Sequence, residues 1–589
     1  MKYSDRFVDL LVENGYTTVF YVAGGNIMHL LNSCRTRLEC IPVIHEMSAV
    51  VAAEYFNESS KEKSFALVTA GPGLTNCVTG IAGAWLESRG VLIVGGQVKS
   101  TDLMGDLGVR QNGIQELNGA ELVKTISKAS ITVNSALPDE KIQEYLDLID
   151  QGRPGPVFLE FCLDTQGLEI NNVTFDKQLK PNKGNLWLDS EQNEEQFFRL
   201  LSDSNRPVLL LGGGVRRDLS TIYLPIFEHL GIPIMTTWNG ADRIDSDHPL
   251  YFGRPNTWGQ RSSNIILQQS DLLIAIGTRL GLQQTGFNWQ QFVPLGKVIQ
   301  IDIDPAELNK PHPKVDLRIQ ADVGLFLKAF ARMKYVKRPG LALWLEFARE
   351  VRRLCPLNEE VNSFHQGYTN PYSFVLKLSE IASSDSIIIS CSSGGAFTTM
   401  MQAFNQKMGQ IIISNKGLAS MGYGLAGSIG AAVANRLKTV LLVEGDGGFA
   451  QNLQELGTAA ATHSRIKIFL FSNEGYASIR MTQKNYFDSE YMGCDKSTGL
   501  GLPNWESIFD AYGIAHRTLV LGDMDSDSFL EEIRDDRLRV FIIPIHPEQT
   551  FFPKISSRID SKGQMTSNPL HLMTPPLSES TSRQVFRYT

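Results

Sequence analysis

The sequence lacks the patterns that mark disulfide-bonded, zinc-binding and membrane-spanning proteins. Its seven cysteines are scattered and form no CxxC pair, which argues against a zinc site or a disulfide framework. No apolar stretch of about 18 residues occurs, so we predict no transmembrane helix. The amino-terminal stretch MKYSDRFVDLLVENG has the pattern of an amphipathic helix and not of a signal peptide. A reducing, cytoplasmic setting is therefore expected.

Blocks of lysine and arginine are also missing. The 589 residues carry a formal net charge of −8, which argues against a nucleic-acid partner and against an anionic membrane. The composition, 42% hydrophobic and 20% charged, is that of a globular protein. At roughly 150 residues per domain, the length predicts three or four domains, each with a core of ordinary size.

The sequence is rich in apolar runs that alternate with helical patterns. Most of these runs are continuous, which is typical of parallel strands buried on both faces. We therefore predict an α/β protein built from doubly wound parallel sheets. The predicted strands are TTVFYVAGG (17–25), SFALVTAGPG (64–73), GVLIVGGQ (90–97), RPVLLLGGG (206–214), DLLIAIG (271–277), KVIQIDID (297–304), SIIISCSS (386–393), TVLLVEGDGG (439–448) and IKIFLFSNEG (466–475).

Two polar stretches that contain proline divide the chain, QLKPNKGN (178–185) and CPLNEEVNSFHQGYTNP (355–371). They separate a first block (1–175), a middle block (186–345) and a third block (365–550), each predicted to be one domain. The remainder, 551–589, is rich in Ser, Thr and Pro and is predicted to be an extended arm or a partly disordered tail.

The first and third blocks contain a faint internal repeat. LVTAGPGLTNCVTGIAGAW (67–85) and LVEGDGGFAQNLQELGTAA (442–460) both read as a strand, a glycine turn and a helix. This pattern suggests that the two blocks share a fold, although every βα unit has some likeness to it.

Two strand ends of the third block carry residues that suit a metal ion. One strand runs into Asp446 between glycines, and a later strand runs into Asn473. Ligands of such sheets bind at the carboxyl ends of the strands. Carboxylate, amide and carbonyl oxygens suit Mg²⁺ or Ca²⁺, and the N–H groups of a following helix favour a phosphate. The pattern indicates a metal–diphosphate anchor, and the alternative for Asp446 is an ordinary helix N-cap.

These residues resemble the thiamin-diphosphate (ThDP) motif. Gly445-Asp446-Gly447 is followed, after 25 residues, by Asn473. The resemblance implies that Asp446, Asn473 and the main-chain oxygen of Gly475 bind Mg²⁺. The backbone amides implied to hold the diphosphate lie around Gly445, Gly447, Gly448, Tyr476 and Ala477.

The first block offers a candidate catalytic carboxyl. In VIHEMSAVVAAEYF (43–56), Glu46 follows an apolar run and opens a helix rich in small residues. An apolar surround prepares a carboxyl for general acid–base catalysis because burial shifts its pKa. Taken alone, Glu46 is better explained as an acid in a first helical turn, where it interacts favourably with the helix dipole.

The surroundings of Glu46 closely resemble acetohydroxyacid (acetolactate) synthases, in motif order and to about residue 550. The matching stretches are His45-Glu46, AAE (52–54), VTAGPGLTNCVTGIAGAW (68–85), YVAGGNIMHLL (21–31), GVRQNGIQE (108–116) and QGRPGPVFLEF (151–161). The resemblance implies that Glu46 acts beside the pyrimidine ring of ThDP and that Gln115 is an active-site glutamine. The further cofactor contacts that it implies are Gly24, Gly25, Pro72, Asn76, Gly394 and Gly395.

GLASMGYGLAGSIGA (417–431) extends this resemblance into the third block. It implies that the carbonyl of Ala419 accepts a hydrogen bond from the cofactor's 4′-amine and that Met421 lies beneath the cofactor. Ordinary core packing is the alternative for Met421, and the two roles are compatible. The family's arrangement also implies that Glu46 and Asp446 come from different chains, so that a homodimer or homotetramer is needed.

The middle block resembles the FAD-binding domain of the same family. RPVLLLGGG (206–214), DLLIAIGTRLG (271–281) and KVIQIDIDPAEL (297–308) carry the likeness. Some relatives keep this fold and bind ADP or nothing, and the flavin of the synthases is largely structural. The flavoprotein contacts implied are Arg153, Gly212, Gly213, Gly214, Thr237, Gly277, Arg279, Asp302 (or Asp304) and Asp322.

The resemblance implies decarboxylation of a 2-oxo acid and leaves the acceptor open. GVRQNGIQE has none of the histidines that many non-oxidative decarboxylases carry near Gln115, which disfavours simple aldehyde release. Family synthases have a tryptophan some nine residues past Asn473, where this chain has Thr482, with Arg480 two positions upstream. The usual proline of a GLP triplet is Ala426 here.

These departures resemble carboligases from sugar-biosynthesis loci, as in yersiniose formation. The stretches concerned are GYASIRMTQ (475–483), MGCDKSTGLGLPNW (492–505) and SNPLHLMTPPL (567–577). We expect a ThDP- and Mg²⁺-dependent carboligase that uses pyruvate and a nucleotide-linked keto-sugar or a second 2-oxo acid. The alternatives are an acetolactate synthase catalytic subunit proper, a flavin-linked pyruvate oxidase and a relative that only binds nucleotide. The retained Glu46, Asp446 and Asn473 argue against the last of these.

Overall fold

Three parallel sheets flanked by helices confirm the predicted doubly wound α/β fold. The computed structural model describes residues 1–170, 191–332, 340–390, 393–559 and 565–588. The predicted linker at 178–185, and residues 391–392 of the predicted strand at 386–393, lie outside these ranges. Within them, no helix combines the length and apolar character that a membrane span requires.

The first block forms a six-stranded sheet in the order β2-β1-β3-β4-β6-β5. Two of its inner strands, Leu92–Gln97 and Val157–Cys162, consist wholly of buried residues, as parallel strands covered on both faces should. The strands are β1 (Tyr16–Tyr21), β2 (Glu39–Pro42), β3 (Lys63–Val68), β4 (Leu92–Gln97), β5 (Ala129–Val133) and β6 (Val157–Cys162). The helices are α1 (Tyr3–Glu13), α2 (Met28–Arg35), α3 (Glu46–Ser59), α4 (Pro72–Thr75), α5 (Val78–Glu87), α6 (Gly119–Leu122), α7 (Asp139–Asp150) and α8 (Leu163–Gly167).

The middle block forms a five-stranded sheet in the order β11-β10-β9-β7-β8. The strands are β7 (Pro207–Leu211), β8 (Ile234–Thr236), β9 (Leu272–Ile276), β10 (Lys297–Asp302) and β11 (Leu317–Gln320). The helices are α9 (Glu191–Asp203), α10 (Arg217–Leu230), α11 (Arg261–Gln268), α12 (Leu282–Thr285), α13 (Pro305–Asn309), α14 (Val323–Phe330) and α15 (Gly340–Leu354).

The third block repeats the topology of the first, with strands in the order β13-β12-β14-β15-β17-β16. The suggested internal repeat is thereby confirmed. The strands are β12 (Ile387–Ser390), β13 (Ile411–Ile413), β14 (Val440–Gly445), β15 (Ile466–Ser472), β16 (Ala515–Thr518) and β17 (Arg539–Pro544). The helices are α16 (Pro371–Ile381), α17 (Gly394–Ala403), α18 (Tyr423–Ala434), α19 (Asp446–Phe449), α20 (Leu456–Ala461), α21 (Ala477–Tyr486), α22 (Trp505–Ala511) and α23 (Asp527–Arg534).

The chain divides into two compact units. One comprises Met1–Lys180, Asp385–Ala396 and Ile413–Pro544, and the other Pro181–Ser384, Phe397–Ile412 and Ile545–Thr589. Most of the first and third blocks thus belong to one unit, in which α3 packs along α18. The predicted boundaries of three separate domains stay predictions.

Small side chains allow α3 and α18 to approach closely. A Cβ atom on Gly430 would lie 2.0 Å from the carbonyl oxygen of Ala52, and one on Gly427 would lie 2.5 Å from the ring of Tyr55. Such distances exclude any larger residue unless the helices move apart. The contact explains why small residues dominate both helical segments.

The carboxyl-terminal stretch is an arm that packs on its own unit. It contains a two-stranded antiparallel ribbon, β18 (Ser557–Ile559) and β19 (Met565–Ser567), and a final helix, α24 (Glu579–Val585). The buried side chain of Arg261 donates to the carbonyl oxygens of Met573 at 3.2 Å and Pro575 at 2.8 Å. The prediction of an extended arm or a partly disordered tail at 551–589 stays a prediction.

Candidate active site

The predicted metal ligand Asp446 begins α19, directly after β14. It is 1% exposed, and its Oδ1 atom accepts a hydrogen bond from Gly447 N at 2.8 Å. Its Oδ2 atom accepts from the backbone N–H groups of Asn473 at 3.0 Å and Glu474 at 2.9 Å. The N-cap of α19 is Gly445, so the N-cap interpretation of Asp446 is wrong. The carboxylate instead joins the two strand ends that the sequence pattern singles out.

The side-chain amide of Asn473 points at the same place. One of its terminal atoms lies 2.8 Å from the carbonyl oxygen of Gly475 and 3.2 Å from Asp446 Oδ1. If this atom is the amide nitrogen, it donates to both oxygens. If it is the amide oxygen, three oxygens converge, and a bound cation would satisfy them. Burial raises the pKa of Asp446 to about 7, despite several backbone N–H donors. The residues present therefore fit a small, hard cation such as Mg²⁺.

The backbone around these residues leaves room for a ligand on one side. No described atom lies within 4 Å of the position of a Cβ on Gly445. A Cβ on Gly447, in contrast, would lie 2.5 Å from the ring of Tyr476. Gly475 has a φ of +145°, and a Cβ there would lie 2.1 Å from the carbonyl oxygen of Cys494. Glycine is thus needed at 447 and 475 for close packing, and the surface at 445 is open to a diphosphate.

The other predicted ThDP contacts in this unit also follow the carboxyl ends of parallel strands. The residues and the preceding strands are Gly24 and Gly25 after β1, Pro72 and Asn76 after β3, Gly394 and Gly395 after β12, Ala419 and Met421 after β13, Gly448 after β14, and Tyr476 and Ala477 after β15. This is the edge at which doubly wound sheets bind ligands. Their roles as cofactor contacts stay predictions.

Glu46 lies at the start of α3, where His45 is the N-cap. Its position in the first helical turn matches the helix-dipole interpretation. The side chain is nevertheless 9% exposed, and its Oε2 atom accepts from Asn76 Nδ2 at 2.9 Å. The structure therefore brings together Glu46 and Asn76, two residues that the family resemblance assigned to the site.

Gln115 lies on an exposed loop that is held by its neighbour, Glu116. The carboxylate of Glu116 is 5% exposed and accepts from the backbone N–H groups of Asn112 at 2.9 Å, Gly113 at 2.8 Å and Met104. Although burial opposes the effect, these donors hold the pKa of Glu116 below its ordinary value. Sequence reasoning missed Glu116, whose sole signal was an acid within a glycine-containing loop.

The loop of Gln115 abuts the turn that follows β3. Gln115 has a positive φ of 61°, and a Cβ on Gly71 would lie 2.5 Å from its carbonyl oxygen. Since Asn76 belongs to the same turn, the loop and Glu46 are anchored at a common edge of the first sheet.

A second missed residue, Glu455, connects the third block to the start of α3. It is fully buried, and its Oε1 atom accepts from the backbone N–H groups of Ile44 at 3.2 Å and His45 at 2.9 Å. Thr458 Oγ1 donates to its Oε2 atom at 2.7 Å. Glu455 therefore fixes, within one chain, the segment from which Glu46 projects.

The turn before α18, residues 419–422, is also held by a hydrogen bond from another segment. Ala419 has a φ of +55°, which is uncommon for a residue with a side chain. Met421 is only partly buried, and Gln451 Nε2 lies 3.8 Å from its sulfur. Asn452 donates to the carbonyl oxygen of Gly422 at 2.9 Å. Partial exposure leaves the Met421 side chain available to a ligand, as its predicted role requires.

The predicted FAD contacts of the middle sheet meet at the ends of β7, β9 and β10. Gly212 N donates to the Ile276 carbonyl oxygen at 2.9 Å, and Gly277 N donates to that of Ile301 at 2.9 Å. The oxygen atoms Thr236 Oγ1 and Gln300 Oε1 are buried there without a hydrogen-bond partner among the described residues. Both atoms are fully buried, so they do not themselves mark an open binding surface, and the FAD site stays a prediction.

Several of the other predicted FAD contacts form hydrogen bonds within the chain. Asp322 is the N-cap of α14 and accepts from Leu325 N at 3.0 Å, and Asp302 Oδ1 accepts from Asp304 N at 3.0 Å. Arg153, which lies in the first block, donates to Ser88 Oγ at 2.7 Å. The other predicted contacts, Gly213, Gly214, Thr237 and Arg279, lie after β7, β8 and β9.

Three protein-family models match the chain. They are the N-terminal TPP-binding domain of thiamine pyrophosphate enzymes (1–122), their central domain (195–330) and their C-terminal TPP-binding domain (393–542). The chloroplastic acetolactate synthase of Arabidopsis thaliana is 30% identical over 499 residues, which are 82% of this chain and 72% of that relative. The chain belongs to the acetolactate synthase family of ThDP enzymes.

Other members of the family match over most of their length. The acetolactate synthase isozyme 2 large subunit of Escherichia coli is 29% identical, covering 86% of this chain and 89% of that protein. The probable acetolactate synthase large subunit of Methanocaldococcus jannaschii is 29% identical and covers 93% of each chain. The prediction of a ThDP-dependent, acetolactate synthase-like enzyme is confirmed. The likeness to sugar-locus carboligases stays a prediction.

Proposed function

We propose that this enzyme decarboxylates pyruvate and transfers the acetyl unit to a carbonyl acceptor, either a nucleotide-linked keto-sugar or a second 2-oxo acid. The observation that carries the proposal is the convergence of the Asp446 carboxylate, the Asn473 side-chain amide and the Gly475 carbonyl in a member of the acetolactate synthase family. Bound ThDP supplies the nucleophilic carbon and the electron sink that decarboxylation of a 2-oxo acid requires.

In this proposal the third block binds the charged end of the cofactor. Asp446, Asn473 and the carbonyl of Gly475 would hold Mg²⁺, a cation that favours oxygen ligands and is suited to neutralising a diphosphate. The backbone N–H groups of Gly448 and Ala477, which the family resemblance also assigns to the diphosphate, would complete that site, where Gly445 leaves open space. Three backbone N–H groups already hold the Asp446 carboxylate. The carboxylate therefore need not reorganise when a metal binds.

Glu46 is the proton-transferring carboxyl in this proposal. Among the described residues, the side chain that hydrogen-bonds this carboxyl is Asn76, which donates to Oε2. The Oε1 atom therefore remains free to exchange a proton with the pyrimidine ring. Asn76 orients the carboxyl, and Glu455 fixes the backbone in front of it, so that the group is placed before substrate arrives.

The acceptor side of the proposal rests on α21. Thr482 is exposed there, and its hydroxyl donates to the carbonyl oxygen of Ser478 at 3.0 Å, so that it stays close to the helix. A short side chain at this position supports a wider acceptor pocket than a tryptophan would allow. The relatives' name, acetolactate synthase, supports the alternative in which the acceptor is a second 2-oxo acid.

FAD in the middle block and a site shared between two chains belong to the same proposal. The close approach of the Gly212 and Gly277 backbones after β7 and β9 supports a dinucleotide at this edge, and no chemical step is assigned to it. Flavin absorbance of the purified protein tests the first point. Mixing Glu46→Gln with Asp446→Asn chains tests the second, because restored activity would require the two residues to act from different chains.

The deciding experiment follows pyruvate loss with ThDP and Mg²⁺, without and with a cytidine-linked 4-keto-6-deoxy sugar. Pyruvate loss coupled to a sugar product that is two carbons heavier supports the keto-sugar acceptor. Rapid acetolactate formation without any effect of the sugar identifies a second pyruvate as acceptor. Oxygen uptake with pyruvate would instead favour a flavin-linked oxidase. Absence of pyruvate loss in every assay contradicts the proposal.

A further inference from the structure

Arg480 is a buried cation directly behind the metal-binding loop. It lies on α21 and is 6% exposed. Its Nη1 atom lies 3.5 Å from the carbonyl oxygen of Asn473, and its Nη2 atom lies 3.4 Å from that of Glu474. One guanidinium group thus contacts two consecutive carbonyls of the segment that carries the proposed metal ligands.

Asp495 lies opposite this guanidinium group. Its Oδ2 atom is 3.4 Å from Arg480 Nε. Its Oδ1 atom accepts from Ser497 Oγ at 2.7 Å and from Thr498 N at 3.0 Å. The Arg480 guanidinium group and the Asp495 carboxylate carry opposite charges and face each other at this distance. The pair is therefore neutral as a whole.

The backbone beside Asp495 fixes the third proposed ligand. Tyr476 N donates to the carbonyl oxygen of Cys494 at 2.8 Å, and Gly475 pairs with Asp495 in an isolated β-bridge. The close contact between Gly475 and the Cys494 carbonyl leaves no space for a side chain. The segment 494–498 therefore holds Gly475 from the side opposite to Asp446.

The positive charge of Arg480 must be balanced if Arg480 is to lie beside a metal site. An uncompensated arginine near a divalent cation repels it, and a low-dielectric surround strengthens the repulsion. An arginine that is paired with a carboxylate can hold the loop carbonyls with much less repulsion of the cation. We propose that Arg480 and Asp495 are positioning residues that hold the Asn473–Gly475 loop for Mg²⁺ and keep its support electrically neutral. The inference rests on the Mg²⁺ site of the proposed function.

The test measures cation binding rather than turnover. Mn²⁺, which takes the same oxygen ligands as Mg²⁺, is titrated in the presence of ThDP, and free Mn²⁺ is read by electron paramagnetic resonance. Asp495→Asn removes the carboxylate charge that faces Arg480 but keeps an oxygen for Thr498 N. We expect it to weaken Mn²⁺ binding about 10–100-fold, as the loss of a residue that orients metal ligands typically does. Glu490→Gln removes one exposed charge nearby and should bind Mn²⁺ as the wild type does.

The double variant Arg480→Gln/Asp495→Asn separates charge from loop structure. It is neutral again, so it should bind Mn²⁺ more tightly than Asp495→Asn alone. Equal or weaker binding by the double variant overturns the charge argument, and wild-type affinity in Asp495→Asn overturns the inference altogether. If the wild type itself binds no Mn²⁺ with ThDP, the proposed metal site fails, and this inference fails with it.

Discussion

The buried ion pair of Glu54 and Arg89 provides a quantitative test of how the first and third blocks are joined. Glu54 lies on α3 without exposed surface, and Arg89 Nη1 donates to its Oε1 atom at 2.7 Å. The same guanidinium group donates to the carbonyl oxygen of Ser414 at 2.7 Å, and the Tyr423 hydroxyl lies 3.4 Å from Glu54 Oε2. Replacing Arg89 by methionine removes the charge but keeps an apolar stem. Glu54 then loses the arginine with which it is paired.

The expected loss of stability depends on pH. Burial raises the pKa of Glu54 from 4.5 to about 7, with Arg89 acting in the opposite direction. Because the folded-state pKa is the higher one, the stabilisation from this group is complete below about pH 4.5 and is lost as the pH rises through about 7. Removing one partner of a buried pair costs about 3–5 kcal/mol. We expect a loss in this range near pH 8, and a loss smaller by about 1–2 kcal/mol near pH 6, where Glu54 takes up a proton.

Urea unfolding of the wild type and Arg89→Met at the two pH values measures these losses. The double variant Glu54→Gln/Arg89→Met leaves no buried charge and should be more stable than Arg89→Met near pH 8. Arg216→Met breaks an exposed pair with Asp218, so it serves as a control that should cost at most about 1 kcal/mol. A loss that is equal at both pH values, or a double variant as unstable as the single one, would refute the reasoning.

Three further predictions concern the site and its frame. Glu46→Gln should lower the rate of pyruvate consumption by about 10²–10⁴-fold while ThDP and Mn²⁺ still bind, and an unchanged rate would exclude Glu46 as the catalytic carboxyl. Gly430→Ala should lower the free energy of unfolding by about 1–3 kcal/mol, since its Cβ would collide with α3; Gly522→Ala, which meets no described atom within 4 Å, is the control. Glu116→Gln should speed tryptic cleavage at the exposed Arg110, because a neutral amide holds the loop's N–H groups less strongly; cleavage at the wild-type rate would contradict that role.

The sheets were predictable to the extent that their strands are buried. The predicted runs correspond to β1, β3, β4, β7, β9, β10, β12, β14 and β15, which lie mostly inside their sheets. Short edge strands such as β2 (ECIP) and β16 (AHRT) escaped prediction because they alternate weakly and are largely exposed. Their conformation depends on pairing with a neighbour rather than on their own residues. β6 and β17 were also missed, although their apolar runs VFLEFC and RVFIIP carried the usual signal.

The site was predictable where function follows directly after a strand. Asp446 and Asn473 stand at such positions, and the structure joins them. Glu455 could not be found in this way, since it acts on the backbone of Ile44, far away in the chain. Arg480 was noticed as a departure from the family pattern, but its contacts with loop carbonyls depend on the path of the 494–498 segment. Sequence patterns thus found the groups that face a ligand and missed the groups that hold them.

The internal repeat explains why the first and third blocks support the site through equivalent helices. α3 follows the second strand of the first sheet, and α18 follows the second strand of the third sheet, so the helices that pack together occupy equivalent positions. Such a contact places the same demand for small residues on both partners, as Ala52 and Gly430 show. Glu46 opens one helix, and the turn of Met421 precedes the other. A change in the spacing of the two helices should therefore disturb the catalytic carboxyl and the cofactor turn together.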